Sequence, residues 1–148
     1  MLTASNVAKY LIHHFCFIGQ PISNLKLQKL LYYCQGFHLA INRKPLFRER
    51  IEAWVHGPVV PVVFREYRDF RWSPVIEDPG MPTFPSKVTE VLDSVVEGYG
   101  KLSAAQLEAL SHKEDPWLKA RGGLPPNVPC ACEISHESMI EYFSRLID

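Results

Sequence analysis

Hydrophobic positions in this chain recur mainly at three- and four-residue spacing, which predicts a mainly α protein: a compact helical bundle of about six or seven helices. The widest pattern follows Ser23, whose hydroxyl can accept an unpaired first-turn N–H and so cap a helix. Leu27, Leu31, Cys34 and His38 form one stripe, and Leu30, Cys34, Phe37 and Ile41 form the next. Two adjacent apolar stripes are too wide for a surface helix, so this helix is expected at the centre, with neighbours on most sides. Gln28, Tyr32 and Gln35 run through it as a polar strip, which is either an internal hydrogen-bond network or a surface kept for a partner.

Other elements follow from the same patterning. Thr3 or Ser5 caps a first helix with Val7, Leu11, His14 and Ile18 on one face, ended by Gly19 and Pro21. Asn42 to Pro45 breaks the central helix. In Leu46 to Val55, Ile51, Ala53 and Val55 alternate with Glu52 and Trp54, which predicts at most a small β element near residues 46–56. His56-Gly57-Pro58 is turn chemistry joining that strand to a helix opened by Pro61. Val63, Phe64, Tyr67 and Phe70 give that helix an apolar side, with Arg65, Arg68 and Arg71 as a basic stripe beside it.

Trp72 to Pro85 carries four prolines and reads as an irregular excursion, a class of loop that is often functional. Ser86 is expected to cap a helix bearing Val88, Val91, Leu92 and Val95. Ser103 and Gln106 form a capping box before a helix with Leu107 and Leu110 on its apolar side. Asp115-Pro116 opens a further turn of helix, and Gly122 to Pro129 is a second Gly/Pro-rich loop. Ser135 caps the last helix, with Ile134 and Met139 placed for a hydrophobic staple and Ile140, Phe143 and Ile147 directed at the core.

The 148 residues predict one domain, 1–148. A chain of this size buries ~68–70 % of its unfolded surface, so it needs no staples. With no apolar run long enough to span a bilayer and no signal-peptide pattern, the expected location is cytoplasmic, without a membrane partner. The 4 cysteines then read as reduced thiols rather than a disulfide framework. Net charge is zero, but residues 1–72 hold 10 Lys/Arg against 4 Asp/Glu (+6), and residues 73–148 hold 6 against 12 (−6). Either the halves attract each other weakly, or the surface is dipolar and orients an incoming protein.

Four blocks carry a likeness. LKLQKLLYYCQG (Leu25 to Gly36), PLF (Pro45 to Phe47), IEAWVHGPVVPVVFREY (Ile51 to Tyr67) and LSAAQLEALSHKEDPW (Leu102 to Trp117) together resemble the Panacea antitoxin domain, also called the SocA-like or phage-associated GepA type. The resemblance covers most of the chain in a specific order. It implies a bacterial or phage antitoxin that neutralises a separate toxin protein. In the SocA branch it also allows an adaptor that carries a toxin to a cytoplasmic protease.

Catalytic chemistry finds little support. There is no P-loop, nucleophile elbow, zincin motif or dinucleotide fingerprint. His112, Glu114 and Asp115 cluster at a helix end, where satisfying terminal carbonyls is a simpler role than general-base catalysis. Cys130-x-Cys132 with His136 close behind lacks both the usual zinc spacing and a clear fourth ligand, unless His112 or Glu133 supplies one. No metal or other cofactor is expected, and a small metal-binding enzyme is the most distant alternative. Cys16 and Cys34 behave as small hydrophobes on helical faces. Glu66 and Asp69 dilute the arginine stripe, so no nucleic-acid partner is expected.

A protein partner fits best, because interfaces concentrate Trp, Tyr, Met and Arg. Trp54, His56, Tyr67, Arg68 and Trp72 lie around the HGP turn and are the candidate partner-binding residues, with Gln28, Tyr32 and Gln35 as further candidates if the strip faces outward. Trp54 is out of phase with Ile51, Ala53 and Val55, so it either faces out or packs under the neighbouring Pro-rich loop. Contacts specific to one toxin are expected in Arg71 to Pro85 and in Gly122 to Cys132, and the oligomeric state is left open.

Overall fold

A computed structural model describes residues 2–147 of the chain. Its helices are α1 (Ala4–Phe17), α2 (Asn24–Asn42), α3 (Pro61–Glu66), α4 (Ser86–Tyr99), α5 (Ala104–Ser111), α6 (Asp115–Arg121) and α7 (His136–Ser144), with one 3-10 turn over Arg68–Phe70. A single antiparallel hairpin pairs β1 (Glu52–Trp54) with β2 (Gly57–Val59), in the register Ala53 opposite Pro58. Local chemistry sets several starts. Thr3 Oγ1 accepts from Asn6 N–H at 3.1 Å, and Ser23 Oγ from Lys26 N–H at 3.2 Å. The Ser103–Gln106 capping box closes in both directions. Ile134 and Met139, both buried, flank the Ser135 cap as expected of a staple.

Helix α2 is the hub. It packs on α1, α3, α4, α5, α7 and β2, and 14 of its 19 residues are buried. That is the arrangement two adjacent apolar stripes require. Around it close Leu11, Phe15, Val63, Leu92, Leu107, Trp117 and Phe143.

The polar strip on α2 is internal. Gln35 Nε2 donates to the Phe47 carbonyl at 2.8 Å, and its Oε1 accepts from Leu46 N–H at 2.6 Å. Gln28 Oε1 accepts from Val60 N–H at 2.9 Å, while its Nε2 donates to Asn24 Oδ1 at 2.9 Å. Asn24 Nδ2 in turn donates to the Phe64 carbonyl at 3.0 Å. The Tyr32 hydroxyl donates to Glu114 at 2.9 Å. Gln28, Tyr32 and Gln35 are all completely buried, so none of them offers surface to a partner. The two glutamines instead dock irregular backbone onto the hub, where a buried group left unpaired costs about 1–3 kcal/mol.

Several local expectations are corrected. The third helix stops at Glu66, and a 3-10 turn follows, so Arg65, Arg68 and Arg71 do not share one helical stripe. Gly57-Pro58 is not the joint between strand and helix. It opens β2, and the hairpin loop is Val55-His56. Pro85, not Ser86, occupies the cap position of α4, and no side chain caps that helix. Ile18, Ile41, Leu110 and Ile147 are exposed rather than core-facing, because the wide central helix is already covered and their own elements end beside them. Cys130 and Cys132 lie side by side on the loop before α7, with their sulfurs in contact.

Candidate partner-binding cleft

The hairpin, α3 and the start of α2 leave an open apolar cleft on one side of the bundle. One end, of about 580 Å³, is bounded by Trp54, Val59, Phe64 and the Pro129–Ala131 segment. The other, of about 730 Å³, is bounded by Arg68, Arg71, Trp72, Ala104 and Glu108. Leu25, His56 and Phe64 line both, so the two ends are continuous.

Four of the residues picked from sequence meet here: Trp54, His56, Arg68 and Trp72. Trp54 is half-buried and crosses Phe64 edge-on at 5.2 Å between ring centres, while its Nε1 donates to Glu52 at 2.8 Å. It therefore neither points freely outward nor lies hidden beneath a loop; it forms a wall. His56 Nδ1 stands 3.3 Å from Glu108. Trp72 is 80 % exposed at the rim. Tyr67 lies elsewhere, half-buried against Phe70 and the core.

Sequence reasoning missed the floor. Leu25 and Val59 were not singled out, Phe64 was placed only on the apolar side of its helix, and Ala104, Ala105 and Glu108 fall at the start of a capped helix. The signal for the last three was that they fall within the LSAAQLEALS block. Both Pro-rich loops reach the rim, through Arg71-Trp72 and through Pro129–Ala131.

Lys29 and Glu114 are ionisable side chains buried in the core. Lys29 is buried with Nζ donating to the Pro58 carbonyl at 3.0 Å, and burial lowers its pKa to about 7. Gly57, at φ 103°, passes directly over the Lys29 stem, where any Cβ would collide with it. The Glu114 carboxylate, also buried, accepts from the hydroxyls of Tyr32 and Tyr33; burial raises its pKa and those hydrogen bonds oppose the rise.

The candidate catalytic cluster is dispersed. Glu114 points into this tyrosine cage, and His112 stacks on Trp117 with ring centres 4.2 Å apart. Asp115 turns to Arg145 at 2.9 Å. Among the described residues, no three His, Cys, Asp or Glu side chains are grouped to hold a metal ion, and no helix is long and apolar enough to cross a membrane.

Residues 27–118 match the family model described as "Antitoxin SocA-like, Panacea domain". The chain belongs to this family. It is also 35 % identical to a protein named "Antitoxin SocA" from Caulobacter vibrioides, over 95 % of this chain and 81 % of that protein. No solved structure matches. The family match runs from α2 through most of α6, so the hub, the hairpin and most of the cleft fall within the Panacea domain. The Pro129–Ala131 wall lies beyond it.

Proposed function

We propose that this Panacea-family chain is an antitoxin that neutralises a cognate toxin by direct binding in the cytoplasm, and that the cleft between Trp54 and Trp72 is the contact surface. The family supplies the antitoxin role. The observation that supports the location is the rim: an exposed tryptophan and two arginines beside an open apolar floor. Trp and Arg next to a pocket that can be desolvated are the residues that dominate binding energy in interfaces. No bond is made or broken by this chain. It acts by occupancy, which follows mass action.

The test begins with the adjacent reading frame. Its product should arrest growth when expressed alone and be harmless when co-expressed with this chain. Purified toxin should titrate stoichiometrically onto purified antitoxin. Protection that survives in a protease-deficient strain supports inhibition by binding, whereas protection that vanishes there assigns the adaptor role instead. A neighbour that needs no antitoxin for cell survival overturns the reading.

A further inference from the structure

The charges around the cleft are unequally spent. On the acidic side, Glu108 is engaged by His56 at 3.3 Å, and Glu52 is engaged by Arg50 at 3.0 Å and by Trp54 Nε1 at 2.8 Å. On the basic side, Arg68 and Arg71 are both exposed, and among the described residues neither has a carboxylate within ion-pair distance. Arg71 is held at φ 56°, ψ −118°, a left-handed conformation that a side chain rarely adopts without a reason. That conformation sits at the point where the chain turns out of the 3-10 turn to present Arg71 and Trp72 at the rim.

We infer that the cleft receives an acidic segment of the partner protein, with an apolar or aromatic side chain seated on Leu25, Val59 and Phe64 and carboxylates facing Arg68 and Arg71. This rests on the toxin-binding reading of the cleft and adds the chemistry of what enters it. An apolar floor with cations at one end complements a short run in which Asp or Glu neighbours Leu, Phe or Trp. A nucleic-acid backbone would satisfy the arginines but leave the apolar floor of Leu25, Val59 and Phe64 empty.

The experiment pans a library of random displayed peptides against the purified full chain. Enriched peptides are then synthesised with a fluorescent label and titrated by anisotropy. Titrations use the wild type and an Arg68→Glu/Arg71→Glu variant whose melting temperature matches wild type; both positions are exposed, so the fold should hold. The expected outcome is a consensus placing Asp or Glu beside a large apolar residue, with binding about tenfold or more weaker to the variant. Binding should return when the peptide carboxylates are replaced by lysines.

No enrichment, a neutral or basic consensus, equal binding to both proteins, or displacement of the peptide by a random-sequence DNA duplex would each overturn the inference. The two readings fail separately. If acidic peptides behave as expected but purified toxin binds wild type and variant equally, the toxin sits elsewhere and the cleft chemistry stands. If toxin is neutralised through the cleft but no acidic peptide binds, the charge inference alone is lost.

Discussion

The ring of Phe143 on α7 lies against the backbone of Gly36 on α2, so close that a methyl group on Gly36 would overlap it. This contact lets the two helices pack at short range. It also brings Phe143 into an aromatic cluster with Tyr32, at 5.5 Å, and Phe37, at 4.8 Å between ring centres. Gly36→Ala should therefore destabilise despite alanine's better helix propensity, because overpacking costs about 1–3 kcal/mol against a propensity gain of about 1 kcal/mol. Denaturant unfolding of the variant checks this, and the folded fraction should still bind toxin, since Gly36 is buried in the hub about three helical turns along α2 from Leu25 and lines neither end of the cleft.

Lys29 makes stability depend on pH. Folded Lys29 loses its proton near pH 7, while an unfolded lysine keeps it to about 10.4, so over that interval the unfolded state binds more protons. Stability should then rise as pH increases from 7 to 8, by about 1 kcal/mol. Burial raises the Cys16 and Cys34 thiols, which opposes the trend above about pH 8.5, where unfolded thiols begin to ionise. Chemical denaturation at pH 7 and 8 measures the slope. Lys29→Met should abolish it, at the cost of leaving the Pro58 carbonyl without its donor.

Arg71 holds strain that binding would justify. Relieving a left-handed non-glycine conformation returns about 1–3 kcal/mol, less the extra chain entropy of glycine. Arg71→Gly should thus unfold at a higher temperature than wild type while binding toxin less tightly, because it frees the Trp72 rim and removes one cation. A variant stabilised with toxin affinity unchanged would separate the strain from function.

How much of this was legible in the sequence varied with the range of the interactions. Caps at Thr3, Ser23, Ser103 and Ser135 are read within four residues, so the helix starts were visible. The end of α3 at Glu66 was not, because Val63, Phe64, Tyr67 and Phe70 keep helical spacing straight through the break. The polar strip was visible but its meaning was not. Gln35 and Gln28 bond backbone 11 to 32 residues away, which no local pattern encodes. Lys29 passed unnoticed because a lysine between Gln28 and Leu30 looks like a surface residue, and only the arrival of β2 over it makes it buried. The cleft was half visible. Its Trp, His and Arg rim stood out by residue type, whereas its floor of Leu25, Val59 and Phe64 has the composition of any core.

The central claim is that the toxin is captured at the tryptophan rim, and Trp72 tests it most directly because it is exposed and contributes little to the fold. Isothermal titration of purified toxin against wild type and Trp72→Ala, with both melting temperatures measured alongside, gives the answer. The account predicts an unchanged melting temperature and a loss of about 2 kcal/mol or more in binding, roughly thirtyfold in Kd. Equal toxin affinity for the two proteins would contradict it.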